Sequence, residues 1–285
     1  MQDNVSKRTF VLNCKGKVLM VNKPLVMGII NVTPDSFYAD SRKTKKMDAI
    51  LLAEKMLGEG ATIIDVGGQS TKPGSNPITS AEEMDRVVPV IEAIAKAFPE
   101  TYISVDTYYS SVAKAAVNAG ALMVNDISGG IFDKDMITTV AQLKVPYICM
   151  HTKGTPKTMH HNPVYQNITT EILDYFIERI DVCKKAGIKD IIIDPGFGFG
   201  KTIEHNYQLL KSLHVFQMLD KPLLVGVSRK GMIYKPLGID IAEALNGTTV
   251  VNTIALQQGA NILRVHDVKE AKQAIHLIGL MHLQN

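Results

Sequence analysis

The chain has 285 residues, of which 46% are hydrophobic and 21% charged, and its formal net charge is +3. This composition is too apolar for an extended disordered region, and the scattered positive charges give no sign of nucleic acid binding. No run approaches the roughly 20 apolar residues of a membrane span, and Met1 to Asn13 lack the apolar stretch of a secretion signal, so a cytoplasmic protein with no membrane partner is expected.

In chain order, the first pattern is a pair of apolar segments, Phe10 to Asn13 and Val18 to Val21, flanking a short turn with Gly16. They predict a β-hairpin within residues 1–24 that closes the floor of a barrel. Apolar runs rich in Val and Ile then recur, separated by stretches of helical periodicity: Val26 to Ile30, Thr62 to Val66, Tyr102 to Val105, Leu122 to Val124, Pro146 to Met150, Ile191 to Ile193, Leu223 to Val227 and Ile262 to Val265. Most lack polar alternation, as strands buried on both faces do. A helix is predicted from Ser80, taken as N-cap with Glu83 three residues on, carrying Met84, Val87, Ile91 and Ile94 inward and kinked at Pro89. Another spans Ile168 to Ala186, with Ile172, Phe176, Ile180 and Cys183 on one stripe and Gly187 at its stop. Cys14, Cys149 and Cys183 form no metal or redox spacing and read as buried thiols in a reducing compartment.

Eight βα units favour a closed (β/α)8 TIM barrel over an open doubly wound sheet, and the first strand leads into Asn31 rather than a glycine-rich dinucleotide loop. No composition break divides the chain, so 1–285 reads as a single domain.

Polar residues stand at the ends of the apolar runs: Asn31, Asp65, Asp106, Asn125 with Asp126, His151, Asp194, Ser228 to Lys230, and Arg264 with His266. One such residue is ordinarily a cap or turn former. Eight in register converge on one mouth of a barrel, where catalytic groups from different strands meet. Arg264 and His266, one residue apart on a strand, point to the same side and suit an anion; the competing reading is an ion pair with Asp267 or another loop acid. Asp194 opens Asp194-Pro195-Gly196-Phe197-Gly198-Phe199-Gly200-Lys201, whose glycines let backbone approach a ligand. A carboxylate there accepts two hydrogen bonds from a flat heterocycle bearing a ring N–H beside an amine. Asp106 and Asn125 can complete recognition of that ring, and Lys230 can donate to it. Asn31 to Lys43 and Gly67 to Thr79 read as long loops at the mouth, suited to closing over substrate.

The words NVTPDSF from Asn31, DVGGQSTKPG from Asp65, then VDTY, NDISGG, MHTKGTP, DPGFGFGK, GVSRK and RVHD occur in that order. Together they resemble the dihydropteroate synthase family over nearly the whole chain from Leu25. The resemblance implies a barrel that joins 6-hydroxymethyl-7,8-dihydropterin pyrophosphate to para-aminobenzoate in folate synthesis, with Mg²⁺ as cofactor, sulfonamides as competitors and a homodimer as the assembly. It implies a pterin set of Asp106, Asn125, Met150, Asp194, Lys230 and Arg264, and a pyrophosphate set of Asn31, Arg264 and His266, with Asn31 also meeting the metal. It further implies a para-aminobenzoate pocket of Phe37, Ser70, Thr71, Pro73, Phe199 and Lys230, with Asp106, Lys230 and Asn31 as the catalytic groups.

The chain departs from the family pattern at Lys72, where arginine is usual, at Gly231, where serine is common, and at Tyr38-Ala39-Asp40-Ser41. All three departures concern the aminobenzoate side. Two rival readings are a barrel transferring a methyl group from methyltetrahydrofolate to a corrinoid protein, and a non-catalytic pterin-binding paralogue. The first has no pyrophosphate to hold, which Arg264 and His266 argue against; the second would lose loop or anion residues that this chain retains.

Overall fold

The computed structural model describes residues 8–33, 42–69, 77–155, 158–159 and 163–281. Strands β1 (Phe10–Cys14) and β2 (Lys17–Val21) pair antiparallel, from Phe10 opposite Val21 to Cys14 opposite Lys17. Strand alternation buries Leu12, Cys14, Leu19 and Val21 and leaves Val11, Val18 and Met20 exposed. The buried face packs on Leu25, Met27, Ile63, Met123, Ile148, Ile192, Leu224 and Ile262. These residues stand at or near the first positions of barrel strands, so the hairpin plugs the floor as predicted.

Eight parallel strands complete the sheet: β3 (Leu25–Asn31), β4 (Ile63–Gly67), β5 (Tyr102–Asp106), β6 (Met123–Asp126), β7 (Tyr147–Met150), β8 (Ile191–Asp194), β9 (Leu224–Val225) and β10 (Ile262–Val265). They run in the order β8-β7-β6-β5-β4-β3-β10-β9, and a parallel bridge between Ile193 and Leu223 brings the two ends together. The helices α1 (Arg42–Gly58), α2 (Ser80–Ala97), α3 (Ser110–Asn118), α4 (Met136–Leu143), α5 (Ile168–Lys185), α6 (Ile203–Lys211), α7 (Gly231–Leu237) and α8 (Leu245–Gln257) lie between successive strands, and α9 (Val268–Met281) follows the last. This is the predicted (β/α)8 barrel, and its strands are apolar because helices cover one face and the barrel interior the other.

Two local expectations change. The N-cap of α2 is Thr79, whose side chain accepts from the Glu82 amide while Glu82 accepts from the Thr79 amide. The same box is satisfied one residue earlier than Ser80 and Glu83, and that shift turns Glu83 into the interior. Pro89 lies inside this helix, which runs as one element from Ser80 to Ala97. Strand β9 is shorter than the run Leu223 to Val227: all five residues are buried, but only Leu224 and Val225 pair with β10 before the chain turns. The stripe Ile172, Phe176, Ile180 and Cys183 is buried along α5 as expected, and Gly187 lies just past its end.

Candidate active site

Strand register sets the first layer of the mouth. Asn31 lies beside Gly67, Gly67 beside Asp106, and Asp106 beside Asn125, across four adjacent strands. A Cβ at Gly67 would stand 3.4 Å from the Asp106 side chain and 3.7 Å from Asn31 Oδ1, so glycine leaves the two polar groups facing each other across it. Two residues deeper on β4, Asp65 is fully buried and accepts from Asn125 Nδ2 at 3.0 Å and from Arg264 Nε at 2.7 Å. Arg264 Nη2 donates to Asp106 Oδ2 at 2.6 Å, so one guanidinium on β10 bridges carboxylates on β4 and β5. Burial pushes Asp106 up to about 7, opposed by Arg264 and reinforced by Asp65 and Asp126.

The opposite wall is built by the turn after β8. Asp194 Oδ1 accepts the Gly196 amide at 2.8 Å, and Gly196 has φ of 69°. A Cβ there would collide with the His151 carbonyl, so only glycine fits. Lys201 ties the turn from below through His151 Nδ1 at 3.0 Å and the carbonyls of Gly196 and Phe199 at 2.8 and 3.0 Å. Lys230 reaches across from the β9 side, donates to the Phe197 carbonyl, and places its ammonium 4.6 Å from the centre of the Phe199 ring. Burial lowers Lys230 to about 8 and raises Asp194, while the attraction between the two opposes both shifts. Met150 joins Tyr108, Ile127, Met159 and Phe199 in an apolar cluster separate from the main core. It supplies a greasy wall beside charged groups, the usual make-up of a site for a flat polar ring.

The third side carries His266. Its Nδ1 lies 3.0 Å from Ser228 Oγ, and its backbone amide donates to the same oxygen at 3.2 Å. His266 keeps exposed surface, yet desolvation in the concave mouth and the nearby Arg264 charge hold it below the ordinary imidazole range. It is therefore neutral at pH 7, and an arriving anion would favour its protonation. Arg264 pairs with Asp65 and Asp106 rather than with Asp267, which is held in two bonds by Arg229.

The barrel thus brings together Asn31, Asp106, Asn125, Met150, Asp194, Phe199, Lys230, Arg264 and His266 at the carboxyl ends of its strands. Phe37, Ser70, Thr71 and Pro73, with Lys72 and Tyr38 to Ser41, lie outside the described residues. Gly231 is the first residue of α7. Two strand-end residues serve the scaffold: Asp126 accepts from Ser128, Gly130 and Tyr147, and His151 meets Lys201. Asp65, expected only as one of the strand-end polar residues and given no role in the site, is the addition: it holds Arg264 and Asn125. Among the described residues no cluster of three or more His, Cys, Asp or Glu could hold a metal.

Residues 27–266 match the family described as pterin binding enzyme. The chain is 44% identical over 269 residues to the dihydropteroate synthase of Escherichia coli K12, covering 94% of this chain and 95% of that protein. It superposes on Xanthomonas albilineans dihydropteroate synthase with 4-aminobenzoic acid at a TM-score of 0.91 and 36% identity, covering 98% and 100% of the two chains. For Yersinia pestis dihydropteroate synthase in a sulfonamide drug complex the TM-score is 0.89 and the identity 41%, covering 95% and 98%.

Proposed function

This chain belongs to the pterin binding enzyme family, as a dihydropteroate synthase of folate biosynthesis, and on that premise we propose how its strand ends divide the reaction. The enzyme joins the exocyclic carbon of 6-hydroxymethyl-7,8-dihydropterin pyrophosphate to the amine of para-aminobenzoate. The carbon–oxygen bond breaks, pyrophosphate leaves, a carbon–nitrogen bond forms and the arylamine gives up a proton.

In our reading Asp194 accepts the ring N–H and amine of the pterin, Asp106 and Asn125 complete the ring's polar edge, Lys230 donates to its acceptors, and Met150 lines the pocket. The observation that carries this assignment is the convergence of these five residues, from five different barrel segments, on one mouth beside an apolar wall. Asn31, Arg264 and His266 take the pyrophosphate, and Arg264 also stacks on the pterin. The displacement is dissociative: charge leaves with pyrophosphate before the arylamine attacks, and the Asp106 carboxylate steadies the positive charge left on the pterin methylene. Positioning matters more than proton transfer, and no protein nucleophile is needed.

Mg²⁺ fits this site only together with the substrate. Asn31 supplies one hard amide oxygen, and a cation that keeps several waters and binds phosphate oxygens needs little more from the protein. Bound there, it would neutralise charge on the departing pyrophosphate. Phe199 and Lys230, with Phe37, Ser70, Thr71 and Pro73 of the two loops, form the para-aminobenzoate pocket, where sulfonamides compete. Lys72 offers that pocket a point charge in place of a planar fork.

We further propose a homodimer in the cytoplasm. Exposed Val250, Ile254, Leu277, Leu280 and Met281 on α8 and α9 support the first, and three buried free thiols suit a reducing compartment. No helix among the described residues is long and apolar enough to cross a membrane.

Asp194→Ala tests the pterin assignment. A charge-assisted hydrogen bond contributes about 1.5–3 kcal/mol, so removing the paired acceptor should weaken pterin binding by at least about tenfold, measured by calorimetry on folded protein. Unchanged affinity would refute the role.

A further inference from the structure

Arg229 is one of four non-glycine residues with positive φ among those described, at 54°, and it stands between two residues of the site. A left-handed conformation is unfavourable for an L-residue and persists only where surrounding contacts enforce it. Here they come from three directions. The Arg229 amide donates to Thr248 Oγ1 on α8 at 3.1 Å. Its Nη1 donates to the carbonyls of Ile241 and Ala242 at 3.1 and 2.8 Å. Its Nε and Nη2 grip both oxygens of Asp267 at 2.9 and 2.8 Å, an arrangement that lysine cannot reproduce.

The neighbours show what this clamp joins. Ser228 precedes Arg229 and holds the imidazole of His266; Lys230 comes next and reaches Phe197 and Phe199; Asp267 directly succeeds His266. Arg229 thus pins the turn carrying Ser228 and Lys230 to the chain carrying His266. Each half of the site also has an anchor of its own: Lys230 on the Phe197 carbonyl, and Arg264 on Asp65 and Asp106.

We propose that Arg229 is a positioning residue that fixes the pterin-facing Lys230 and the anion-facing His266 at a set separation, so that a ligand spanning both halves is held at both ends. The inference rests on the roles proposed above for Lys230 and His266. A ligand filling only the pterin half relies on the local anchors and scarcely senses the clamp. The dihydropterin pyrophosphate needs both halves at once and depends on it.

The test compares wild type with Arg229→Gly and Asp267→Asn, measuring affinity for 6-hydroxymethyl-7,8-dihydropterin and for its pyrophosphate, with thermal melts alongside. Glycine relieves the left-handed backbone while deleting the clamp, so this variant separates backbone strain from side-chain positioning. Arg229→Gly should bind the alcohol within about twofold of wild type and the pyrophosphate about tenfold more weakly, and Asp267→Asn should show the same selectivity in smaller degree. Equal losses for both ligands, or no loss for either, would overturn the clamp as a positioning device. Wild-type protein that binds the pyrophosphate no more tightly than the alcohol would overturn the anion-site reading and the clamp with it.

Discussion

Glu83 shows what one residue of helix register changes. Counted from a Ser80 cap it is a capping side chain at the surface; with the cap at Thr79 it is fully buried, taking a bond from Gln69 Nε2 at 3.2 Å on one oxygen. Its other oxygen has no hydrogen-bond partner among the described residues. Burial pushes the group up to about 7, against the pull of Gln69 and with the help of Asp106. Below its unfolded value the native and unfolded chains are both protonated. As pH rises toward 7 the native chain keeps a proton that the unfolded chain has lost, so stability falls across that window. Glu83→Gln should therefore match wild type in urea unfolding at about pH 4 and exceed it at pH 8 by roughly 3 kcal/mol at most. Parallel stabilities at the two pH values would contradict this reading of Glu83. Sequence could not reveal Glu83 because two adjacent residues, Thr79 and Ser80, both suit a cap, with acids three positions on in each case. Asp65 was legible as a strand-end carboxylate, whereas its bond to Arg264 spans 199 residues and depends on barrel closure.

At the scale of elements, the apolar runs marked every strand, because strands buried on both faces need no polar alternation. Their ends were less legible. The run from Leu223 to Val227 is buried throughout, but hydrophobicity reports burial and not pairing, and the ladder stops at Val225. The hairpin was readable from alternation around a turn, and its function as a floor follows from that alternation. Leu19 is 4% exposed in the floor cluster with Met27, Ile63 and Leu224. Leu19→Ala should lower unfolding stability by about 2–5 kcal/mol while kcat/KM of the folded fraction stays close to wild type, because the floor lies at the end of the barrel away from the mouth. Denaturant titration and steady-state kinetics on the same preparation would check both halves. Lost activity at unchanged stability would mean that the plug shapes the mouth directly.

For the whole molecule, eight units wound into one barrel bring polar groups distant in sequence to one end, and this closure turns single strand-end residues into a site. The ordered motifs made the family legible, since each word sits where a strand meets its loop. The proposed aminobenzoate side was less so: the sequence departs from the family pattern at Lys72, and α7 begins with Gly231 where the family pattern has serine. The central claim is that this mouth completes the whole displacement. Its most direct test is pyrophosphate release by the purified chain with Mg²⁺ and dihydropterin pyrophosphate, measured with and without para-aminobenzoate while product is identified by chromatography. Release should depend on the arylamine and yield an equal amount of 7,8-dihydropteroate; tight pterin binding without turnover would contradict the claim.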